Sequence, residues 1–236
     1  MKPNEVREVF QNIQIVLSDQ QVQQFIDYYD LLIEWNSKMN LTAITESDEV
    51  LVKHFADSVI SGKMLDYNNY DSLVDIGTGA GFPGIPLKII YPHLQVTLVD
   101  ALNKRVQFLD VVIDALELTD IEALHGRAED LARTSMRDHY DLCVSRAVSQ
   151  LNVLCEYCMP FIRPGGLFVS YKGSKTLEEL VKSSNAIELL SGQLKEVTDQ
   201  VTLNDEIKRG FVLIEKLSET DSKYPRRAGK PLKKPL

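Results

Sequence analysis

Gly77, Gly79 and Gly81 stand two residues apart between Asp75 and Phe82, so three positions without a Cβ fall in one short stretch. Such a stretch can turn tightly and lets a ligand approach the backbone where a side chain would fend it off. Leu73, Val74 and Ile76 ahead of it supply the apolar character of a short buried strand, with Asp75 near its carboxyl end. Pro86 suits the first turn of a following helix, where a missing N–H costs little. Open α/β sheets bind nucleotides at such a place, beyond the carboxyl ends of parallel strands. Asp75, Gly77, Gly79 and Gly81 are therefore candidate cofactor-binding residues.

The glycines alone leave two chemistries open. Gly77-x-Gly79-x-Gly81 resembles the loop of S-adenosylmethionine (SAM) methyltransferases, while the overlapping Gly79-x-Gly81-x-x-Gly84 satisfies a dinucleotide fingerprint. Later features favour SAM. Asp100 ends a second apolar run, Gln95 to Asp100, 19 residues beyond Gly81, where a carboxylate can accept both hydroxyls of an adenosine ribose. The turn Arg127-Ala128-Glu129-Asp130 follows a third strand and can reach an adenine amino edge. Asp141 opens a fourth strand, and Pro164-Gly165-Gly166 turns into a fifth. Two closing strands, about 195–201 and 211–216, joined by a short connection from Thr202 to Gly210, fit the antiparallel hairpin that closes methyltransferase sheets. A dehydrogenase would also need a hydride-transfer site and a substrate domain, for which little chain remains.

These residues need elements to hold them. Residues 4–17 space Val6, Val9, Phe10, Ile13 and Val16 as one face of a helix. A second helix begins near Gln20 and ends near Asn36–Asn40, and a third runs from about Asp48 to Met64. On that third helix His54, Asp57 and Ser58 share a face, either as a surface pair or as a polar edge of the cleft. From Asp71 onward strands alternate with helices (about 84–91, 102–117, one through Leu151, and 176–191), the pattern of a parallel sheet with crossovers. The expected fold is thus α/β, a Rossmann-like class I methyltransferase sheet, mostly parallel with a C-terminal antiparallel hairpin. We expect a helical cap at 1–68, the SAM-binding core at 69–217 and a basic tail at 218–236.

Composition bounds the function further. The chain has 236 residues, 44% hydrophobic and 25% charged, which is ordinary for a soluble globular protein. No run approaches the roughly 20 apolar residues of a membrane span, and the amino terminus lacks the apolar core of a signal peptide. Three cysteines, Cys143, Cys155 and Cys158, make no disulfide framework and read as buried thiols. A cytoplasmic protein follows, with no membrane partner and no metal. The net charge of −8 is unevenly spread. Lys223 to Leu236 holds six of the 26 Lys and Arg residues and none of the 34 acidic ones, leaving 20 against 34 elsewhere. Such asymmetry fits a phosphate-binding tail on an acidic body, or else a solubilising terminus.

Five blocks together carry a resemblance: Trp35-Asn-Ser-Lys-Met-Asn-Leu-Thr42, His54-Phe-Ala-Asp-Ser58, Asp75-Ile-Gly-Thr-Gly-Ala-Gly-Phe-Pro-Gly-Ile-Pro86, Ser145-Arg-Ala147 and Tyr171-Lys-Gly173. With the basic tail from Tyr224, they resemble the RsmG family, the bacterial 16S ribosomal RNA guanine-N7 methyltransferases also called glucose-inhibited division protein B. The resemblance implies SAM-dependent methylation of one guanine in the 530 loop of 16S rRNA, position 527 by conventional rRNA numbering, in the 30S subunit. It implies SAM contacts at Gly77, Phe82, Asp100, Ala101, Leu102, Ala128, Glu129 and Arg146. It also draws Asn40, Thr42, His54, Asp57 and Ser58 toward the substrate cleft, with Arg226 and Arg227 of the tail on RNA. A monomer is expected. The alternatives are a small-molecule SAM methyltransferase and a non-catalytic nucleotide-binding regulatory module.

Guanine N7 presents a lone pair and no proton, so such a site needs no general base. The Asn/Asp-Pro-Pro-aromatic block associated with amino-group methylation is absent after the fourth strand, where Ser145-Arg146-Ala147 stands instead. Arg146 and Lys172 are the candidate catalytic residues, Arg146 orienting SAM or the guanine O6 and Lys172 contacting O6 or a phosphate.

Overall fold

The computed structural model describes residues 1–202 and 208–236. Two helices, α1 (Pro3–Asn12) and α2 (Asp19–Met39), precede a third helical stretch that includes α3 (Ser47–Val50) and α4 (Asp57–Val59). The core then alternates β1 (Ser72–Ile76), α5 (Gly84–Ile90), β2 (Gln95–Asp100), α6 (Asn103–Ala115), β3 (Ile121–His125), α7 (Ala128–Leu131), β4 (Tyr140–Arg146), α8 (Leu151–Cys158), β5 (Ile162–Lys172) and α9 (Thr176–Leu189). It closes with β6 (Gly192–Thr202), β7 (Lys208–Lys216) and a terminal turn, α10 (Lys230–Lys233).

The sheet has seven strands in the order β3-β2-β1-β4-β5-β7-β6. The first five strands pair in parallel, and β7 runs antiparallel to both β5 and β6. This is the expected mostly parallel sheet with an antiparallel pair. Much of the proposed Thr202–Gly210 connection, residues 203–207, lies outside the described residues. Strand order reverses between β1 and β4, which places the ligand crevice beyond the carboxyl ends of those two strands.

Both sheet faces are covered, so successive strand residues are buried on opposite sides. Leu73, Leu98, Leu142 and Val169 face a core shared with Phe10, Phe25, Tyr28 and Phe55 of the amino-terminal helices. Val74, Val99, Cys143 and Phe168 face the second core, with Leu154 of α8 and Ala186 of α9. Burying aromatic side chains of this size is worth roughly 1.5–3 kcal/mol each, and this is what fastens the cap to the sheet. Ser18 caps α2, its Oγ accepting from Gln21 N at 3.2 Å while Ser18 N donates to Gln21 Oε1 at 2.9 Å. Cys143, Cys155 and Cys158 are free and buried, and burial raises the thiol pKa of Cys143 and Cys155.

Two helical expectations change. The first helix stops at Asn12, because Gln14 takes a left-handed conformation with φ 67°. Val16 therefore leaves the apolar face and is 90% exposed. The third helix is continuous from Ser47 to Lys63, close to the expected span, but it is not uniformly α. Leu51–Ala56 winds in the wider π form, and Ile60–Lys63 tightens to a 3-10 turn. π turns inside helices often mark functional positions, and His54 sits inside this one.

The last residues pack against the core rather than trailing from it. Tyr224 is buried in the second core, and Arg137 donates to the Tyr224 carbonyl at 2.9 Å.

Candidate active site

The glycine loop is built by bonds to its backbone. Gly77 N and Thr78 N donate to the Val99 carbonyl at 2.9 and 3.1 Å, tying the end of β1 to β2. Gly77, Gly79 and Gly81 have φ values of 73°, 64° and 99°, which side-chain-bearing residues rarely adopt. A Cβ on Gly81 would lie 2.5 Å from Tyr28 Oη, and one on Gly77 would overlap Val148. Tyr28 Oη in turn donates to the Ala80 carbonyl, so the cap helix α2 pins the loop from outside.

Asp75 braces the same loop from beneath. It is fully buried, and its Oδ2 accepts from Thr78 Oγ1 at 2.7 Å and Gly84 N at 2.8 Å. Burial pushes its pKa up to about 7, against those two bonds, and Oδ1 has no partner. Its two hydrogen bonds go to the loop and to the first residue of α5.

A pocket of about 160 Å³ opens between the loop and the ends of β2 and β3, lined by Gly77, Ala101, Ala128, Glu129, Val148 and Tyr157 among others. Asp100 stands at its edge. Its Oδ2 accepts from Gly79 N at 3.0 Å and Arg105 Nη1 at 3.2 Å, and its Oδ1 accepts from Leu102 N at 2.9 Å. Leu102 itself is 46% exposed at the start of α6. The Cβ-free approach at Gly79, where nothing lies within 4 Å, and two carboxylates, Asp100 at the end of β2 and Glu129 in the first turn of α7, fit the adenosine of SAM. Asp100 would hold the ribose and Ala128–Glu129 the adenine edge.

A larger cleft of about 400 Å³ is lined in part by Ala147, the chain neighbour of Val148 in the smaller pocket. Asp57 organises it. This carboxylate is 1% exposed, accepts from Arg146 Nη1 at 2.6 Å and is also paired with Arg209. The Arg146 guanidinium stands 5.2 Å over the ring of Phe82, a cation–π contact that fixes its plane. Lys172 Nζ is held by Glu179 Oε2 at 2.8 Å and the Ser149 carbonyl at 2.9 Å. Lys53 completes four cations against the two carboxylates of Asp57 and Glu179 in the lining, an electropositive cleft in a chain of net charge −8.

His54 stacks on Phe82 with centroids 4.7 Å apart, and its Nε2 lies 2.8 Å from Thr42 Oγ1. Burial, with Arg146 nearby, pushes its pKa down to about 4, so the ring is neutral near pH 7. Its buried Nδ1 has no partner.

Of the residues drawn to the cleft, His54, Asp57, Arg146 and Lys172 line it. Thr42 reaches it through His54, and Phe82 forms its floor under His54 and Arg146. Ser58 is fully buried and serves the frame. Its hydroxyl donates to the His54 carbonyl, and its own carbonyl accepts from Tyr171 Oη at 2.6 Å. That bond sets a direction, so the Tyr67 hydroxyl donates to Ser61 and Ser61 to Tyr171, tying β5 to the cap. Asn40 is exposed and ends α2 in a left-handed conformation, φ 50°. Arg226 is paired with Glu156, and Arg227 is exposed on the packed carboxyl-terminal segment. Arg209, Glu179 and Lys53 escaped the sequence reading. Only the β5–β7 pairing brings Arg209 to Asp57, and no local spacing announces that.

Comparison with known proteins bears on the site as a whole. A family model described as GidB, rRNA small subunit methyltransferase G, matches residues 21–207. "Ribosomal RNA small subunit methyltransferase G" of Lachnoclostridium phytofermentans is 51% identical over 221 residues, 93% of this chain and 91% of that protein. The protein of the same name from Staphylococcus carnosus is 46% identical over 231 residues, 97% and 96% of the two chains. Among solved structures, a SAM-dependent methyltransferase from Aquifex aeolicus superposes with a TM-score of 0.55 at 14% identity, covering 75% of this chain and 97% of that one. M. jannaschii TYW2 in complex with AdoMet gives 0.54 at 14% identity, covering 68% and 77%. At those identities the two structures speak for the fold alone. The sequence matches go further, and by them the chain belongs to the rRNA small subunit methyltransferase G family.

Proposed function

We propose that this protein methylates N7 of one guanine in 16S rRNA, that of the 530 loop, with the 30S subunit or its rRNA as substrate, SAM as methyl donor and the protein acting as a cytoplasmic monomer. The observation that carries the reading is the presence of a pocket at the glycine loop together with an electropositive cleft whose lining histidine, His54, is held neutral. Bound SAM supplies an electrophilic methyl group on sulfur. The chain's own residues then need only bind and orient the base, because N7 offers a lone pair without a proton to remove.

Arg146 and Lys172 take that part. Both are fixed beforehand, Arg146 by Asp57 and Phe82, and Lys172 by Glu179 and Ser149. Donors fixed in advance lower the barrier without reorganising during the reaction. They suit the guanine O6 and a flanking phosphate and leave N7 free. An arginine fork on both O6 and N7, common in duplex recognition, would block the reaction. Alignment of the reacting atoms supplies the rest, worth several kcal/mol in well-oriented systems. A guanine reaching this cleft must leave its stack, as bases do for enzymes that modify them.

The test is incubation with methyl-labelled SAM and, separately, unmethylated 16S rRNA, 30S subunits and a metabolite pool. Label in the ribosomal RNA supports the reading. Label confined to metabolites, or no uptake of SAM or its demethylated product by calorimetry, overturns it.

A further inference from the structure

The fourteen residues from Lys223 to Leu236 form a ledge fastened to the core at four points. Arg226 makes a double contact with the buried carboxylate of Glu156, Nη2 to Oε2 at 2.6 Å and Nε to Oε1 at 2.9 Å. The same guanidinium donates to the Lys234 carbonyl at 2.9 Å, closing the segment on itself. Arg137 holds the Tyr224 carbonyl at 2.9 Å, and Arg133 holds that of Pro225. Gly229 N donates to Glu129 Oε1 at 2.8 Å.

Arg226 is thus committed to the frame, but Arg227, Lys230, Lys233 and Lys234 are not. All four are exposed, and their side chains make no hydrogen bond or ion pair among the described residues. No acidic residue lies in the segment. Some exposed cations elsewhere are neutralised by acidic neighbours, as Lys2 is by Glu5 and Lys38 by Glu34. The position is also telling. Glu129 lies in the first turn of α7, just beyond the carboxyl end of β3, and lines the smaller pocket, so the ledge is anchored beside that pocket.

We propose that this ledge is a second RNA-contact surface, which grips phosphates of the same RNA whose guanine enters the cleft. The proposal rests on the rRNA reading above and adds where the RNA runs. A fixed row of cations loses less entropy on binding than a free arm would. Phosphate contacts of this kind give affinity that falls with salt, by about 0.7 in log–log slope per contact on single strands.

The experiment compares the full-length wild type, an R227Q/K230Q/K233Q/K234Q variant and Glu156→Gln. Each binds unmethylated 30S subunits and naked 16S rRNA across a salt series, with SAM affinity measured beside it. All four substituted positions of the first variant are exposed, so it should fold, and its SAM affinity should stay unchanged. Its RNA affinity should fall at least tenfold, and its salt slope should shrink by one to three. Glu156→Gln keeps the four cations and adds net positive charge while freeing Arg226. A fixed ledge predicts weaker RNA binding for it, whereas a tail acting by charge alone predicts equal or tighter binding. An unchanged salt slope in the fourfold variant overturns the proposal, as does weakened binding to 30S with none to naked rRNA, which would point to a protein contact. Wild-type methylation of rRNA, scored in parallel, separates either failure from a failure of the functional reading.

Discussion

Arg146 Nη1 lies 2.6 Å from Asp57 Oδ2, and this ion pair joins the end of β4 to the cap across the floor of the cleft. With Arg209 on the other oxygen, one buried carboxylate orients two guanidinium groups. Asp57→Asn should leave SAM affinity within a few-fold of wild type and lower methyl transfer by about ten- to a hundredfold, the worth of a hydrogen bond between charged groups. Arg146→Lys should fall as far, because an ammonium keeps the charge but not the planar fork. Single-turnover rates with calorimetry of SAM check both, and full transfer by either variant would remove Arg146 from the mechanism.

Gly81→Ala tests how the cap pins the loop. Its φ of 99° and the 2.5 Å approach to Tyr28 Oη leave no place for a methyl group. Backbone strain of this kind costs about 1–3 kcal/mol, and SAM binding should weaken with it. Tyr28→Phe keeps the packing and loses only the bond to Ala80, so it should cost about 1 kcal/mol. Urea unfolding of the two variants measures the difference, and equal losses would mean that the approach at Gly81 is relieved at no cost.

Much of this was legible in the residues. Strand and helix alternation from Asp71, the glycine loop and Asp100 all follow from local spacing, because a buried parallel strand and a tight turn each leave a short-range pattern. The carboxyl-terminal segment did not, since the anchors of Arg226 and Gly229 lie 70 and 100 residues away at Glu156 and Glu129. The change of winding at 51–63 left no trace for a different reason. Its apolar spacing fits an α-helix, and the wide turn that holds His54 against Phe82 has no short-range signature. Asp75 shows the limit of motif reasoning: its type and place suit a ligand contact, yet its bonds go to Thr78 and Gly84.

Two buried groups give opposite pH signatures. His54 ordinarily titrates near 6.5 but takes its proton only near pH 4 in the folded chain. Between those values the unfolded chain holds more protons, so stability rises with pH and is lost as pH falls. Asp75 is shifted from 3.8 up to about 7, so the folded chain holds the extra proton and stability falls as pH rises across that window. Each contributes at most about 1.4 kcal/mol per pH unit. Relative to wild type, His54→Gln should tilt stability downward with rising pH between 4 and 6.5, and Asp75→Asn should tilt it upward. Chemical denaturation at pH 4.5, 5.5 and 6.5 reads the tilts, and tilts of the same sign in both variants would refute the assignment.

The most direct test maps the methyl group itself. 30S subunits and 16S rRNA from cells lacking this protein, methylated in vitro by the pure enzyme and digested to nucleosides, should yield 7-methylguanosine from a single 530-loop position. The rate should show no limb at the ordinary histidine pKa. A ribose or exocyclic-amine methyl in its place, whose formation removes a proton from the acceptor, would contradict a cleft that orients its substrate with fixed cations and no base.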